Sequence, residues 1–188
     1  MEIKLQNCGQ RISIVGTSGS GKTTLAKNIS QLLQIPHVEL DALHWEPNWI
    51  EAPDQVFRDR ISKALSGDRW VVDGNYSKVR DLVWGSADTV VFLDYPFEIV
   101  LRQLLRRTLQ RSLNKEELWS GNRESIYKTF FSQDSILLWM LKTYANNRKK
   151  YPALLQQPEY KHLSFVHLRS PKMTEAWLTL ARCSKNLC

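Results

Sequence analysis

The chain has 188 residues and a formal net charge of +7, a length that suits one domain with a full hydrophobic core. No stretch approaches the roughly 18 apolar residues needed to cross a bilayer, and no cleavable leader precedes the first strand pattern, so we expect a cytoplasmic protein without a membrane partner. The three cysteines, Cys8, Cys183 and Cys188, lack the paired spacing of disulfide frameworks or zinc sites. The positive charge fits either a nucleic-acid surface or a site for several phosphates.

Short β-branched apolar runs alternate with longer segments of helical period along the chain. The predicted strands cover 11–15, 37–40, 70–73, 89–94 and 163–167, and the predicted helices cover 22–33, 54–66, 78–84, 96–111, 124–150 and 172–182. This alternation predicts a three-layer α/β/α fold in which helices cover a five-stranded parallel sheet. In such a sheet, ligands bind beyond the carboxyl ends of the strands. We therefore expect the functional residues to follow the strands.

Residues 16–23, here called the phosphate loop, lie directly between the first strand and the first helix and match the pattern G-x-x-x-x-G-K-[ST]. Glycines let successive amides point at phosphate oxygens, and the new helix adds its positive amino-terminal dipole. Lys22 would reach the β and γ phosphates, and the Thr23 hydroxyl would bind magnesium. We predict ATP and Mg²⁺ as ligands of the phosphate loop. Its residues are Gly16, Thr17, Ser18, Gly19, Ser20, Gly21, Lys22 and Thr23, and Thr24 continues the first helical turn.

The residues after the strands separate three classes of phosphate-loop protein. A GTPase would carry N-K-x-D, whereas the nearest match here, 114–117, reads NKEE. Motor-type ATPases usually place a glutamate after a strand-ending aspartate, but Asp73 precedes Gly74 and Asp94 precedes Tyr95. A small-molecule kinase instead excludes water and uses arginines on a closing lid. The missing glutamate favours this third class.

Arginines on the predicted helix 96–111 also favour a kinase. Arg107 and Arg111 flank its apolar face and, being four residues apart, could grip neighbouring phosphates, whereas Arg102 and Arg106 project from the opposite side. Residues 112–124 would form a short lid, in which Arg123 is a further candidate donor. An ordinary solvated or salt-bridged surface is the alternative interpretation for each of these arginines.

With these residues placed, the chain resembles the nucleoside monophosphate kinase-like P-loop proteins, and most closely the adenylate kinase-related family labelled DNA topology modulation proteins. The resemblance rests on GTSGSGKTTLA at 16–26, ELDALHWEPNW at 39–49, WVVDGNYSKVRD at 70–81, ADTVVFLDYP at 87–96, RRTLQR at 106–111 and LWSGNRES at 118–125. It implies a single domain with strand order 2-3-1-4-5, a lid after the fourth strand and an acceptor region at about 42–66. It also implies ATP with magnesium. True adenylate kinases have D-G-F-P-R where this chain has Asp73-Gly74-Asn75-Tyr76, which argues against AMP as the acceptor.

Several strand-following residues are candidates for specific roles. Asp73 resembles the Walker B aspartate that holds magnesium through its water shell, with a turn or capping role as the alternative. Asp41 could orient an acceptor hydroxyl or simply form a turn. Asp94 is expected to cap the next helix, and His167 to be structural.

Aromatic and polar residues around the expected cleft are candidates for acceptor binding. Trp45 and Trp49 could form a wall for a planar or sugar-like molecule, or merely pack a loop. Asn75, Tyr76 and Arg80 follow the third strand and would face the same cleft, although Arg80 could equally form a surface salt bridge. In the family pattern, Arg169 lies in the loop near the adenine.

The leading hypothesis is transfer of the γ-phosphoryl group of ATP to a small acceptor such as a nucleotide or nucleoside. Its proposed catalytic residues are Lys22, Asp41, Arg107, Arg111 and Arg123. The competing hypothesis is an ATP-binding regulator with little kinase activity that acts on DNA topology or on a protein partner. DNA binding that falls steeply with salt and is lost on neutralising Arg102 and Arg106 would favour this second hypothesis.

Overall fold

The computed structural model describes residues 9–114, 116–123 and 136–185. Its strands are β1 (Arg11–Gly16), β2 (His37–Glu39), β3 (Trp45–Glu46), β4 (Ile50–Glu51), β5 (Trp70–Asp73), β6 (Thr89–Leu93) and β7 (Ser164–Leu168). Its α-helices are α1 (Lys22–Leu33), α2 (Leu40–His44), α3 (Asp54–Ala64), α4 (Arg80–Ser86), α5 (Phe97–Leu113), α6 (Ile136–Leu155) and α7 (Pro171–Lys185). Short 3-10 turns lie at Pro47–Trp49, Ser77–Val79, Trp119–Gly121 and Pro158–Tyr160.

Five strands form one parallel sheet in the order β2-β5-β1-β6-β7. Counted among themselves in chain order, these strands stand as 2-3-1-4-5, and the predicted α/β fold with a five-stranded parallel sheet is confirmed. The labels differ from the predicted numbering because β3 and β4 intervene. These two short strands form a separate antiparallel hairpin that the sequence patterns did not predict. The parallel register brings the carboxyl ends of β1, β5 and β6 to one edge, where Asp73 and Leu93 lie beside β1.

The core lies on both faces of the sheet because neighbouring residues of β1 point to opposite sides. Ile12 and Ile14 pack with helices α1, α5 and α7 on one face. Val15 packs on the other face with Phe57 of α3, with α4, and with Tyr151 of α6. Burying a large apolar side chain contributes about 1.5–3 kcal/mol, so the two clusters fix the sheet between its helices. None of the described helices combines the length and the apolar character needed to cross a membrane.

Helix boundaries agree with the sequence patterns to within a few residues. Helix α1 spans its predicted residues, whereas α3 ends at Ala64, and the turn-forming Ser66-Gly67 follows after Leu65. Helix α5 continues beyond its predicted end to Leu113, so it includes the first two residues of the predicted lid. The predicted helix 124–150 is described from Ile136 onward, and its residues 124–135 lie outside the described ranges, as do lid residues 115 and 124.

Candidate active site

The phosphate loop is shaped by three glycines with positive φ: Gly16 (153°), Gly19 (89°) and Gly21 (91°). A Cβ at Gly19 would lie 2.8 Å from the Leu104 Cβ and 2.9 Å from the Val100 carbonyl oxygen, because the loop packs directly on α5. Helix α1 then begins at Lys22, so the amides of its first turn have no helical partner. The loop thus combines curled backbone with a helix amino terminus, which is the geometry that binds phosphate.

Lys22 folds back across the phosphate loop. Its Nζ donates to the Gly16 carbonyl at 2.8 Å and to the Thr17 carbonyl at 3.2 Å. Burial lowers the pKa of Lys22, the Asp73 and Asp41 carboxylates oppose that shift, and the Arg107 guanidinium adds to it. These influences require all three groups to lie near the Lys22 amine. The structure therefore brings together four predicted site residues that come from different parts of the chain.

Asp73 lies at the end of β5, beside the first turn of α1. Its buried carboxylate accepts a hydrogen bond from the Thr23 hydroxyl at 2.7 Å, and its other oxygen lies 2.7 Å from Nε2 of His37. A hydroxyl and a carboxylate are the hard oxygen donors that Mg²⁺ prefers while it keeps several waters. Thr23 and Asp73 therefore fit the predicted metal role. His37 was missed, since a single histidine at the start of a strand carries no pattern.

Asn75 binds the phosphate loop through both ends of its amide. Its Oδ1 accepts from the Gly16 amide at 3.2 Å, and its Nδ2 donates to the Gly16 carbonyl at 2.5 Å. Asn75 reaches the loop because β5 lies next to β1, and its predicted role in acceptor binding stays a prediction. In this position Asn75 fixes the conformation of the first loop glycine.

Asp41 and Tyr76 form the polar centre of the acceptor side. The Tyr76 hydroxyl donates to Oδ1 of Asp41, and its ring packs against His44 and Phe57 at centroid distances of 4.5 and 5.1 Å. Burial raises the pKa of Tyr76, and the neighbouring Asp41 carboxylate raises it further. Tyr76 therefore keeps its proton and holds Asp41 in one orientation.

Three indoles border this centre, two from the β3–β4 hairpin and one from the lid. Trp45 and Trp49 meet edge to face at 5.5 Å, and Trp49 meets Trp119 edge to face at 6.3 Å. All three side chains are half-buried. Trp119 was not predicted as a site residue, because nothing in the lid sequence indicates that it meets the hairpin. The three rings form an aromatic wall beside the acceptor region.

The described part of the lid is joined to the hairpin by hydrogen bonds. The buried Asn122 side chain accepts from the Trp49 amide at 3.0 Å and donates to the Glu46 carbonyl at 2.9 Å. Ser120 donates to the Trp45 carbonyl at 2.7 Å. Trp49 and Ser120 both have positive φ, at 60° and 56°, which costs about 1–2 kcal/mol for a residue with a Cβ. The lid–hairpin contacts hold these conformations, so lid and acceptor region are coupled.

The lid-side arginines differ in position. Arg107 and Arg111 are half-buried, and the influence of Arg107 on Lys22 places it at the phosphate loop. Arg111 lies 3.9 Å from Glu116, whereas Arg123 is exposed, 3.6 Å from Glu117. The structure therefore brings Arg107 to the predicted phosphate end and places Arg111 and Arg123 beside lid carboxylates. Arg102 and Arg106 are exposed on α5, the side predicted for them.

Arg80 packs over an indole of its own helix, and its predicted contact with an acceptor anion stays a prediction. Its guanidinium carbon lies 5.6 Å from the centroid of Trp84, its neighbour one helical turn later, and its charge contributes to lowering the pKa of Lys150. The cavity that it shares with Asn75 and Tyr76 measures about 20 Å³, room for about one water molecule. Arg80 begins α4, and stacking on the indole one turn further on directs it toward α6.

A polar cluster surrounds the buried Asp94 at the ends of strands β6 and β7. The Asp94 carboxylate lies 2.9 Å from His167 Nε2 and 2.8 Å from Arg148 Nε. The prediction that Asp94 caps α5 is wrong, because Pro96 occupies the N-cap position and no side chain caps the helix. Arg169 borders an adjacent open cleft of about 360 Å³ together with Asp94 and Arg148. Next along α6, Asn147 donates to the Thr17 hydroxyl at 3.3 Å, which ties α6 to the phosphate loop.

Comparison with known proteins gives a match in sequence and several in structure. A family model described as "ABC transporter" matches residues 3–71, which include the phosphate loop but cover less than half of the chain. No curated protein sequence matches. Shikimate kinase from Aquifex aeolicus is similar with a TM-score of 0.51 and 16% identity, over 94% of this chain and 96% of that one. Shikimate kinase from Bacteroides thetaiotaomicron is similar with a TM-score of 0.51 and 14% identity, over 95% of this chain and 99% of that one.

These likenesses concern the fold, because identities of this size carry no statement about substrate. The chain has a P-loop NTPase-type α/β fold similar to that of these two shikimate kinases. The narrower resemblance to DNA topology modulation proteins stays a prediction.

Proposed function

We propose that this protein transfers the γ-phosphoryl group of ATP to a hydroxyl group of a small acceptor. The observation that carries the proposal is that three charged side chains from different parts of the chain lie near the Lys22 amine. Asp73 and Arg107 lie near its amine on the phosphate side, and Asp41 lies near it on the acceptor side. A phosphoryl group held by Lys22 would therefore lie between the nucleotide and a carboxylate able to orient an attacking hydroxyl.

The triphosphate would bind in the phosphate loop. Loop amides and the α1 amino terminus would donate to its oxygens, and Lys22 would exchange its hydrogen bonds to the Gly16 and Thr17 carbonyls for phosphate oxygens. Thr23 and Asp73 would hold Mg²⁺, which would supply positive charge against the phosphate oxygens. The base would lie near Arg169, as the family resemblance implies, beside the open cleft.

Asp41 would position the acceptor. Tyr76 fixes one of its carboxylate oxygens, which leaves the other to accept the proton of an acceptor hydroxyl. The acceptor oxygen then forms a bond to the γ phosphorus as the bond from that phosphorus to the bridging oxygen breaks. The products are ADP and the phosphorylated acceptor, and the hydroxyl proton passes to Asp41. Lys22 and Arg107 would stabilise the negative charge on the transferring group.

Docking of the lid supports transfer to an acceptor rather than to water. The Asn122 hydrogen bonds hold the lid against the acceptor-side hairpin, which shields this side of the site from solvent. Arg111 and Arg123 would reach the phosphates by exchanging Glu116 and Glu117 for phosphate oxygens. The coupling predicts that acceptor binding and lid closure occur together.

A labelled-ATP screen against nucleosides, nucleotides and sugars tests the proposal. Lys22→Ala should lower the rate by about 10²–10³-fold, because the transferring phosphoryl group loses its fixed cation. Asp41→Asn should lower kcat while ATP affinity is retained, since Asp41 acts on the acceptor. Lys63→Ala is the matched control, because Lys63 is exposed in the last turn of α3. Tight ATP binding without a phosphorylated product from any acceptor would contradict the proposal.

A further inference from the structure

The basic side chains of the acceptor side are already engaged by carboxylates. Three ion pairs involve them: Arg58 with Asp81 at 2.5 Å, Arg60 with Glu46 at 2.7 Å, and Lys78 with Asp54 at 2.9 Å. Lys78 also lies 3.7 Å from Glu51. Residues 41–60 and 74–81 together contain six acidic and four basic residues. A dianionic acceptor would meet this acidic excess.

The fourth basic residue of these segments is Arg80, and Lys63 follows three residues after the first segment. Lys63 lies at the end of α3, which leads back to the start of β5 and thus to the opposite edge of the sheet. Arg80 lies over Trp84, 5.6 Å from its ring centroid. Within the described parts of the chain, neither Lys63 nor Arg80 forms an ion pair with Asp41.

His44 does not supply the missing charge. It is buried between Trp45, Phe57 and Tyr76, with ring centroids 4.5–4.9 Å away. Burial lowers the pKa of His44, although the carboxylate of Glu51, 3.7 Å from Nε2, opposes the shift. The imidazole is therefore neutral near pH 7 and contributes packing rather than charge.

The positive groups gather instead at the phosphate loop. Lys22 and Arg107 lie close enough for the arginine to lower the pKa of the lysine. A bound triphosphate would place anionic oxygens near both cations. The cations at the phosphate loop therefore match the negative charge of a triphosphate. The acceptor side, in contrast, carries an excess of acidic residues.

The acceptor side also has a shape and chemistry of its own. Trp45, Trp49 and Trp119 form a wall of half-buried indoles, and Asp41 is held beside it by Tyr76. Indole faces bind rings, and carboxylates bind hydroxyl groups. Resting on the proposed transferase function, we infer that the acceptor is an uncharged ring compound with hydroxyl groups, of the nucleoside or sugar class, and not a phosphomonoester.

Paired probes test this inference on the full-length protein. Calorimetry with adenosine against AMP, thymidine against its 5′-monophosphate, and glucose against glucose 6-phosphate compares each uncharged ring with its phosphorylated form. The protein is first loaded with a non-hydrolysable ATP analogue and Mg²⁺, so that binding is measured without turnover. We expect at least one uncharged probe to bind at least about tenfold more tightly than its phosphorylated partner, because like charges oppose association.

A variant that neutralises one carboxylate tests whether the acidic excess causes the preference for uncharged probes. Glu46→Gln removes the partner of Arg60, so the preference for the uncharged probe should narrow by about threefold or more. Asp59→Asn makes the same change in net charge on the same segment, but Asp59 accepts a hydrogen bond from Gln55 on its own helix, and its effect should be smaller. An unchanged preference in the Glu46 variant would overturn the electrostatic argument.

The outcomes separate this inference from the proposed function. A phosphorylated probe that binds as well as or better than its uncharged partner in every pair, or no binding by any uncharged probe, would overturn the inference. Loss of that binding in Arg80→Gln would identify Arg80 as the phosphate ligand. Transfer is measured separately with ATP, and bound acceptors that are never phosphorylated would contradict the transferase proposal instead.

Discussion

Gly19→Ala tests the contact between the phosphate loop and α5. Gly19 occupies one of the variable positions of the loop pattern, so the pattern itself does not require glycine there. In the structure, Gly19 has a φ of 89°, and a Cβ would lie 2.8 Å from the Leu104 Cβ and 2.9 Å from the Val100 carbonyl oxygen. The contact with Val100 is to helix backbone, which cannot move aside like the end of a flexible side chain. Alanine should therefore displace the loop from α5.

The expected penalty has two parts. The left-handed backbone costs about 1–2 kcal/mol for an alanine, and overpacking against α5 costs about 1–3 kcal/mol. Together they amount to about 2–5 kcal/mol, provided that the loop keeps its conformation. If the loop relaxes instead, the same free energy appears as weaker nucleotide binding, by about 30-fold or more.

Two measurements on the same samples detect both forms of the penalty. Urea unfolding gives the free energy of unfolding, and calorimetry gives the affinity for ATP with Mg²⁺. Gly85→Ala is the matched control, because Gly85 lies in α4 with open space around it and should gain up to about 1 kcal/mol from helix propensity. A Gly19→Ala protein with both the stability and the ATP affinity of the wild type would refute the reasoning.

Three further predictions concern the lid, a buried histidine and the metal site. Asn122→Ala should weaken docking of the lid by about 1–3 kcal/mol, because it leaves buried backbone groups without partners, and hydrogen exchange should accelerate in residues 45–51 and 116–123 together. His44 is neutral in the fold, so folding stability should fall as pH drops below 6.5, and the difference in unfolding free energy between pH 7.5 and about pH 5.5 should be smaller in His44→Gln. Asp73→Asn should reduce the increase in ATP affinity that Mg²⁺ provides, measured by calorimetry with and without the ion.

Controls and contrary results are specific to each prediction. Asn114→Ala is the control for Asn122→Ala, because Asn114 is exposed. Hydrogen exchange in this control variant should match that of the wild type. Acceleration confined to the lid in Asn122→Ala would show that lid and hairpin are independent. An unchanged pH dependence in His44→Gln would mean that other groups cause it. Equal effects of Mg²⁺ on wild type and Asp73→Asn would argue against a metal role for Asp73.

Local sequence patterns predicted the elements whose formation depends mainly on residues adjacent in the sequence. The run RISIV before GTSGSGKT gave both β1 and the loop, because a buried strand, glycines and a helix start each leave a signal in adjacent residues. The strand-end position of Asp73 followed from the apolar run before it. Parallel pairing then brought Asp73 to Thr23, as the fold class implies.

Contacts between distant residues could not be predicted in this way. Asn122 reaches Glu46 across 76 residues, and a lone asparagine has no period or spacing that indicates its partner. The β3–β4 hairpin has two residues per strand, too few to show alternation. Asp94 resembled a helix cap because it lies just before a helix, whereas its actual partners His167 and Arg148 come from later elements.

Calorimetric titration of the wild-type chain and of Lys22→Ala with ATP and Mg²⁺ tests the central claim most directly. We expect saturable ATP binding by the wild type and a loss of ATP affinity of about 100-fold in the variant, because Lys22 is the cation placed across the phosphate loop. Absence of binding by the wild type, for ATP and for GTP alike, would contradict the account.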